Sequence, residues 1–595
     1  MCFIIYFGVF SAFFLSDNLL YSSKNTKKYT RNKLKNTQLL IFINPHMKTE
    51  IKKTAFPFSG IFAAVCVAVF LSACSPKAET DLRVLAPENA TFAMYSKPDK
   101  KLIAALTSRE DYKAAVSALK SNKAINVKYD EFLKNMPAEF RSVFDIFIDK
   151  NNAAGSIEEL AITGVECILI YSCAQLSSET KLFDGALVLK SASPEFSAKL
   201  KAALDKITDA KKSKMCGGDS YEIGFKSEEL KEFKIVVCAR AGTFVVSGSS
   251  DAVKGVFARL DSAPKTSVFN NKLFAKVLPN AASDDCFVFV DTKLFSAFGS
   301  GSEKYFEAFG LESTENSLSV FKGESRALFK TESVWAKLLA TCSLKGSDAS
   351  VRIIDKAMLF LSMGAPRADG KLRDEFKKAG FPFEKLEGDA FGKIVLSNVK
   401  RADFSMTEFE VPKVMNGFPP PFLLNIVAED TDKILTEPFI APYLTDKPKQ
   451  QIGGADCINT GMFTVAKISK ERLSVISGGD VAKLLECAKG EVKNDNAAAR
   501  KLLAELRPEN AIAEMYMDYT AFMRVQVAMQ EEMTRRMQTP QNDFASQYYK
   551  ALVSLYKRYD FAANVSMEGD ILVLRLKGDL EMDLNPLVKI VKDIK

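Results

Sequence analysis

Histidine is almost absent from this sequence, since His46 is the only one among 595 residues. Residues 47–595 therefore contain no imidazole, which rules out Ser-His-Asp and Cys-His nucleophilic catalysis in that part of the chain. The usual histidine ligand of zinc is missing there too. Carboxylate, lysine and cofactor chemistry stay open, but no pattern indicates a catalytic, cofactor-binding or metal site. We expect a protein that is not an enzyme and has no cofactor.

Cysteines are present, but no two are spaced as C-x-x-C, so a thioredoxin-like or zinc-ribbon site has no support. Eight of the eleven cysteines follow Cys74, an even number that permits disulfides in an oxidising compartment. Cys167 and Cys173 lie along one strand-like run, about 20 Å apart if extended, which is too far for a disulfide. Cys216 and Cys238 flank a possible hairpin and are the best candidate pair. Burial as small apolar groups explains most of these thiols equally well.

Long apolar runs are also missing, because no segment reaches the roughly 20 residues that a membrane-spanning helix needs. Two shorter runs lie near the N-terminus, at Cys2–Leu15 and Phe58–Phe70. Lysines precede the second run, and Leu71-Ser72-Ala73-Cys74 follows it. A cationic start, a short apolar core and small residues before a cleavage point are typical of a secretory signal peptide.

The tetrapeptide ending at Cys74 resembles the lipobox of bacterial lipoproteins. The resemblance implies cleavage before Cys74, a diacylglycerol on its thiol and acylation of its new amine. The membrane would then be a partner through the lipid on Cys74, because two or three acyl chains anchor stably. Ser75 follows in place of an acidic residue, which by the usual sorting rule implies the outer membrane of the bacterial cell envelope, facing the periplasm. The alternative is an ordinary anchor helix with a free core cysteine.

Residues 1–46 do not fit a signal peptide that begins at Met47. They add a second apolar run and then a segment rich in Asn, Lys and Thr. One interpretation is a true N-terminal helix; the one that we favour is a misassigned or disordered extension. The chain then divides into this extension, a lipoprotein signal peptide at 47–73 and a lipidated tether at 74–81.

The charge of the chain depends on that division. The full sequence has 81 Lys and Arg against 73 Asp and Glu, a net charge of +8. Nine of the basic residues and two of the acidic ones precede Cys74, so the mature part has 72 against 71. A nearly neutral body without a basic stripe gives no electrostatic basis for nucleic-acid binding. We therefore expect no nucleic acid among the partners.

Two short themes recur along the mature chain. A Pro-containing turn leads into a strand and a helix at 86–95, 278–291 and 507–518, and Pro-Glu-Asn-Ala occurs at both 87–90 and 508–511. A strand ending in Ser-Gly, with Asp251 or Asp480 able to cap the next helix, occurs twice. These themes predict three α+β modules, at 82–265, 266–490 and 491–595, in which an antiparallel sheet packs with helices. The layout is similar to that of exported bacterial lipoprotein families with repeated strand–helix modules, a resemblance that implies no activity.

Several local elements follow from periodicity and turn residues. The sequence predicts a long helix from about Tyr519, a helix at Phe544–Arg558 and a strand at Phe391–Ser397. It also predicts a hairpin that turns at Glu568-Gly-Asp, and an irregular loop where three prolines follow Phe418.

Three other patterns have simpler explanations than a functional site. Ser262 and Lys265 match the Ser-x-x-Lys signature of serine acylases, but the proline between them interrupts the helix that would orient the lysine. Asp284 and Asp285 are too few oxygen ligands for a calcium site. The methionines of the helix Thr520–Met537 are more typical of a core than of a binding surface.

The function that we expect is that of a membrane-anchored envelope lipoprotein with a non-catalytic binding or structural role and a possible envelope protein partner. One alternative is an envelope hydrolase that uses carboxylates or a serine–lysine pair. Another is a carrier of an apolar ligand between sheet and helices, for which the 45 phenylalanines supply ample material.

Overall fold

The fold is built on antiparallel strands joined by short helices. The computed structural model describes residues 81–122, 165–172, 185–226, 232–296, 304–344, 353–379, 390–490, 496–506, 510–537, 550 and 553–593, except for positions 98, 192, 206, 208, 209, 263, 284, 285 and 368. Cys74, Cys173, the acidic pair at 284–285 and the predicted signal peptide lie outside these residues. The α+β class predicted from the sequence is confirmed.

All strand pairs in the described residues are antiparallel, and they join twenty strands into one sheet. The strands are β1 Phe92–Ser96, β2 Glu166–Tyr171, β3 Ala186–Lys190, β4 Lys211–Met215, β5 Gly218–Lys226, β6 Glu232–Arg240, β7 Thr243–Ser247, β8 Cys286–Asp291, β9 Phe306–Asn316, β10 Val320–Phe329, β11 Ala357–Gly364, β12 Val399–Thr407, β13 Phe422–Ala428, β14 Lys449–Ile452, β15 Ala455–Asn459, β16 Thr464–Ser469, β17 Arg472–Ser477, β18 Ala511–Asp518, β19 Tyr556–Glu568 and β20 Ile571–Met582.

The helices occupy the connections between strands. They are α1 Lys100–Ser108, α2 Glu110–Ser121, α3 Pro194–Asp205, α4 Ser250–Asp261, α5 Lys272–Val277, α6 Lys293–Ser296, α7 Val334–Leu339, α8 Gly370–Lys378, α9 Ala390–Ser397, α10 Val411–Met415, α11 Thr431–Leu435, α12 Ala441–Leu444, α13 Val481–Lys489, α14 Ala497–Leu506, α15 Tyr519–Met537 and α16 Asn585–Asp593. Within the described residues, none of them combines the length and the apolar character needed to cross a bilayer.

The first ten strands and the last ten strands pair in the same order. In the first set the order is β4-β5-β6-β7-β3-β2-β1-β8-β9-β10, and in the second it is β14-β15-β16-β17-β13-β12-β11-β18-β19-β20. We call these sets the first half and the second half of the sheet. The halves are joined edge to edge by the pairing of β10 with β20.

The seam between β10 and β20 places charged side chains opposite each other. Glu324 lies across from Arg575 in the register, and their Oε2 and Nε atoms are 3.0 Å apart. Arg326 also pairs with Glu324, and both arginines contact Glu568. At 14% and 22% side-chain exposure, Glu324 and Arg575 are largely removed from water. A charged side chain that has lost its hydration in this way destabilises the fold when its oppositely charged partner is removed.

Helices also cross from one half to the other. Trp335 of α7 packs edge-on against Phe376 of α8, with ring centroids 5.4 Å apart. Helix α16 packs against α2, and the Arg109 guanidinium beside α2 donates to the carbonyl of Met582 at 2.7 Å. Each of these end helices follows the last strand of one half and packs on the other half.

The faces of the sheet carry separate cores. Directly opposed residues of antiparallel strands point to the same face, and Tyr95 and Ile168 are buried on one face with α4 and α5. Phe360 and Tyr516 are buried on the same face in the second half, under α13 and α14. We call this the inner face. On the opposite, outer face of the first half, α3 covers the strands with Phe196, Leu200 and Leu204.

The two outermost strands among the described residues carry exposed lysines. Strand β4 exposes Lys211, Lys212 and Lys214, and β14 begins at exposed Lys449. Lysines on an edge strand oppose pairing with the edge of another chain.

Several local predictions are confirmed. The long helix begins at Tyr519, the hairpin turns between Glu568 and Ile571, and Asp480 accepts hydrogen bonds from the backbone of Ala482 and Lys483 as the cap of α13. The proline loop is irregular until β13 begins at Phe422.

Other local predictions are wrong. The expected strand at Phe391–Ser397 is helix α9, which buries Ile394 against the sheet; a short apolar run does not distinguish helix from strand. The expected helix to Arg558 gives way to β19 at Tyr556, while residues 544–549, 551 and 552 lie outside the described part of the chain. Ser249, rather than Asp251, caps α4 by accepting from two backbone N–H groups.

We predict that Glu324 and Arg575 are energetically coupled. In a double-mutant cycle with Glu324→Gln and Arg575→Gln, each single change removes one opposite charge from a poorly hydrated side chain, while Arg326 and Glu568 keep their own contacts, so we expect a coupling energy of about 1–3 kcal/mol. The measurement is urea unfolding of the mature chain. The matched control is the exposed pair of Asp251 and Lys254, for which we expect less than about 0.5 kcal/mol. Equal coupling for the two pairs would contradict the importance of the seam.

Candidate functional site

One row of directly opposed residues crosses the inner face of the sheet. Its side chains are mostly apolar in the first half and mostly polar in the second half. In the first half the row contains Cys238, Val245, Val188, Ile168, Tyr95 and Phe287, all buried in the core. In the second half the strands at the same places contribute Ala466, Ser474, Asn425, Asp403, Ser362 and Glu514. These residues are buried too. Five of the six apolar or aromatic residues are thus replaced by polar ones.

The polar row continues across the seam. Asn564 lies next to Glu514 in the register and is followed by Arg575, Glu324 and Glu312. Nine consecutive positions on the inner face, from Ser474 to Glu312, are therefore polar. A buried polar side chain costs about 1–3 kcal/mol when its hydrogen bonds are not made, so a row of this length needs a specific set of partners.

Asp403 is the centre of the hydrogen bonds in the second half. Its Oδ1 accepts from the Ser362 hydroxyl at 2.7 Å, and its Oδ2 accepts from the Arg401 Nε at 3.1 Å. The Asp403 side chain is almost completely buried. Next in the row, the Ser474 hydroxyl donates to the Asn425 side-chain oxygen at 2.6 Å. The row is therefore held by short cross-strand hydrogen bonds between neighbouring strands.

Glu312 and Asn564 of this row have side-chain atoms without a hydrogen-bond partner among the described residues. Glu312 is 1% exposed; its Oε1 accepts from the Asn280 amide at 2.9 Å, whereas its Oε2 has no hydrogen-bond partner. Burial raises the pKa of the Glu312 carboxyl, and the neighbouring Glu324 adds to the rise. Neither amide atom of Asn564 is hydrogen-bonded. Glu312 and Asn564 lie on β9 and β19, the strands that hold the same place in the two halves.

The outer face of the same strands shows the opposite inversion. Leu361 and Met363 of β11 are 40% and 62% exposed, although β11 lies between β12 and β18 in the interior of the sheet. At the place of Leu361 in the first half is Met94 of β1, which is only 3% exposed. The second half thus buries polar residues on one face and exposes apolar ones on the other. Such a departure from the usual hydrophobic pattern marks a candidate functional site.

The sequence signal for this site is weak but present. Strands β11 and β13 each contain a single polar residue within an apolar run, namely Ser362 and Asn425. Strands β12 and β18 contain several polar residues, among them Asp403 and Glu514. The sequence alone does not reveal these residues as a group, because their alignment in one row depends on the register between strands that are far apart in the chain.

The predicted disulfide partners lie near each other at one end of the β4–β5 hairpin. Cys216 (φ 51°) and Gly217 (φ 76°) form its two-residue turn, in a left-handed conformation typical of type I′ hairpins. The Cys238 thiol approaches the Met215 carbonyl oxygen at 3.4 Å, and burial raises its pKa to about 11. Both cysteines are free thiols in the structure, and their disulfide stays a prediction.

The other sequence patterns lie elsewhere. The Ser262 hydroxyl donates to the Ala258 carbonyl at the end of α4, at 2.7 Å. On α15, Met529 packs into a core with Val525, whereas Met533 is 43% exposed. Among the described residues, no group of three or more His, Cys, Asp or Glu is placed to hold a metal ion.

Comparisons with known proteins identify no family for this chain. No protein-family model matches the chain, and no curated protein matches it. Solved structures of the protein TP0453 in crystal forms III and I are each 10% identical, cover 42% of this chain and 99% of that chain, and have a TM-score of 0.22. A TM-score of this size supports no conclusion about fold or function.

We predict that Asp403 stabilises the second half of the sheet. Asp403→Ala removes the acceptor of the Ser362 hydroxyl and leaves the buried Arg401 charge without this carboxylate, so we expect a loss of about 3–5 kcal/mol in the free energy of unfolding. Urea unfolding measures the loss. The control is Asp432→Ala, which removes an exposed partner of Lys467 and should cost less than about 1 kcal/mol. Similar losses in the free energy of unfolding for both variants would refute the prediction that Asp403 stabilises the sheet more than an exposed carboxylate does.

We predict that Glu312 makes stability depend on pH. Its raised pKa means that the folded state holds a proton that the unfolded chain, with a pKa of about 4.3, has released. The contribution of this proton to stability is complete below that pH and is lost as pH rises through the folded pKa. Glu312→Gln should therefore be more stable than the wild type at pH 8 and similar to it at pH 4. Urea unfolding at both values, with Glu195→Gln on the exposed part of α3 as control, checks this; no difference at pH 8 would disprove it.

Proposed function

We propose that this chain is a lipid-anchored protein of the bacterial cell envelope, facing the periplasm at the outer membrane, with a non-catalytic binding role. The binding surface is the outer face of β11, β12, β13 and β18. The observation that carries the proposal is the exposure of Leu361 and Met363 on an interior strand. Exposed apolar residues that neighbour one another on a sheet are typical of interaction sites.

The proposed cellular location of the protein is based on its sequence. The signal peptide at 47–73 and the lipobox ending at Cys74 support export and lipid attachment. The tether from Ser75 to Thr80 is short, since six extended residues span at most about 20 Å. The binding surface would therefore work close to the bilayer and would meet envelope components.

We further propose that the sheet consists of two repeated modules of ten strands, which approximately correspond to residues 82–332 and 333–595. The identical pairing order supports this division, as do the Ser-Gly turns after β7 and β17 and the Pro-containing sequence motifs that precede β8 and β18. Because β10 and β20 run antiparallel, the modules are related by an approximate twofold axis perpendicular to the sheet. The axis passes through the pair of Glu324 and Arg575.

This division differs from the three modules expected from sequence themes alone. The Pro-containing theme leads into β1, β8 and β18, and two of these strands, β1 and β8, are neighbours within the first half. With ten strands in each module, each module has its own stretch of the residue row on the inner face. In the first module the six positions of this row from Cys238 to Phe287 belong to the hydrophobic core. In the second module five of the six corresponding positions are polar, and the outer face is exposed at Leu361 and Met363.

The proposed function is tested by photo-crosslinking in the cells that make the protein. A benzophenone amino acid replaces Met363 in one variant and Met533 in another, so that both probes lie at exposed methionines but only the first lies on the proposed surface. We expect an adduct with an envelope component from position 363 and none from position 533. We also expect Cys74→Ser to abolish acylation and to reduce the adduct, as mass spectrometry would show.

Three results would overturn the proposal. They are equal adducts from both positions, no adduct from position 363, and a mature N-terminus upstream of Cys74 that carries no acyl group.

A further inference from the structure

Two cysteines lie near the outer edge of the first half of the sheet, where the β4–β5 hairpin turns beside β6. Cys216 is the first of the two turn residues, and Cys238 is in β6, opposite Ser220 of β5. Both belong to the apolar core on the inner face, Cys238 as a fully buried member and Cys216 as a partly exposed residue packed against it. The two thiols therefore reach the same core from neighbouring parts of the backbone.

The turn lies close against β6. The Cys238 Sγ is 3.4 Å from the carbonyl oxygen of Met215, the residue before Cys216. In a trans peptide that oxygen is about 2.8 Å from the next Cα, so the Cys238 sulfur is at most about 6 Å from the Cys216 Cα. On the other side of the turn, a Cβ on Gly218 would lie only 2.4 Å from the carbonyl oxygen of Ala239. Glycine at this position thus allows the hairpin to approach β6 closely.

Cysteine is an unusual residue for the first position of this turn. Its φ of 51° is left-handed, and type I′ turns prefer Asn, Asp or Gly there. The β14–β15 hairpin holds the same place in the second half, and its turn residues are Gly453 and Gly454, with φ of 57° and 76°. A cysteine at this backbone position has a conformational cost that glycine avoids. A bond made by the Cys216 thiol would offset that cost.

The second half lacks both members of the pair. Gly453 stands in the turn where the first half has Cys216, and Ala466 stands in the inner row where the first half has Cys238. The half that lacks one cysteine thus lacks the other as well, as expected if the two act together.

The two thiols differ in their access to solvent. Cys238 is fully buried, and burial raises the pKa of its thiol to about 11. Cys216 is partly exposed, and the Arg240 guanidinium donates to its carbonyl oxygen at 2.9 Å. Arg240 also donates to the Asp261 carboxylate at the end of α4, so it holds the turn against this helix. An oxidant in solution therefore meets Cys216 first.

We propose that Cys216 and Cys238 form a disulfide that closes the β4–β5 hairpin onto β6, by thiol–disulfide exchange with a disulfide oxidant. The Cys216 thiolate attacks one sulfur of the oxidant, the other sulfur leaves as a thiolate, and a mixed disulfide forms on Cys216. The Cys238 thiolate then attacks the Cys216 Sγ and releases the rest of the oxidant. The two cysteines lose two electrons and two protons, and the oxidant is reduced to two thiols. This inference goes beyond the proposed binding role and does not depend on it.

The disulfide would secure the edge of the sheet. In the described part of the chain, β4 pairs with β5 alone, and most of its residues are exposed. Strands held in this way open locally more often than interior strands do. A bond from the turn to β6 attaches the hairpin to the next strand, so that its backbone opens less often.

The test uses the folded mature chain with Cys74→Ser, and oxidised glutathione as the oxidant. After oxidation, remaining thiols are blocked with N-ethylmaleimide, and unreduced peptides are mapped by mass spectrometry. We expect a disulfide-joined peptide pair that contains Cys216 and Cys238 and that separates on reduction. Cys216→Ser should abolish this pair. The matched control is Cys286→Ser, which removes another partly exposed cysteine and should leave the pair unchanged.

Hydrogen exchange measures the effect of the bond on the hairpin. We expect oxidation to slow backbone exchange in β4 and β5 by roughly tenfold, and to change it by less than about twofold in β14 and β15, whose turn has glycine in place of Cys216. A chain that joins other cysteines, or that carries only glutathione on Cys216, refutes the inference. Equal slowing of exchange in both hairpins, or no slowing in β4 and β5, refutes the closing of the hairpin onto β6.

Discussion

The ladder between β10 and β20 is the contact on which the architecture depends. Without it the sheet would end at two further edges, and each half would expose the unpaired backbone groups of a long strand. The ladder is reinforced by a charge network in which Glu324 and Arg575 face each other and Arg326 and Glu568 complete the contacts. The opposite charges matter for specificity as well as stability. If two copies of one half paired through this strand in the same register, Glu324 would face Glu324, or Arg575 would face Arg575, and the like charges would oppose that pairing.

The two halves show how one strand order can serve two purposes. In the first half, Tyr95 and Ile168 fill the inner row and Met94 is buried on the outer side, so both faces contribute to packing. In the second half, the corresponding inner positions hold Ser362 and Asp403, which are tied by a hydrogen bond instead of apolar contact. Cross-strand hydrogen bonds are directional and fix the relative position of neighbouring strands, whereas apolar packing tolerates small shifts. Strands fixed in this way suit a face whose central residues Leu361 and Met363 stay exposed, whereas α15 packs at the start of β11 with Met358.

Local features of the fold were accessible from the sequence, and those that depend on register were not. The cap at Asp480, the start of α15 at Tyr519 and the hairpin after Glu568 follow from residues that are close together in the chain. The sequence predicts a strand where the structure has helix α9, because eight residues are too few for the spacing of apolar residues to distinguish a helix from a strand. The polar row joins Glu312 to Asn564 and Asp403, and no local pattern could show that these residues share one line across the sheet. For the same reason the recurring sequence themes predict three modules, because they mark similar strands. The shared strand order instead supports two modules of ten strands each.

The lysines at both free edges of the sheet have a consequence for a protein held on a membrane. Lipid anchoring would confine copies of the chain to a plane, where they collide side by side far more often than in free solution. Strand β4 presents Lys211, Lys212 and Lys214, and β14 begins at Lys449. Hydrated lysine side chains on an edge strand disfavour its pairing with the edge of another molecule, so neighbouring molecules would not join their sheets. If the chain is anchored as proposed, copies could then crowd on the bilayer without polymerising, and each would keep the exposed face around Leu361 and Met363 accessible.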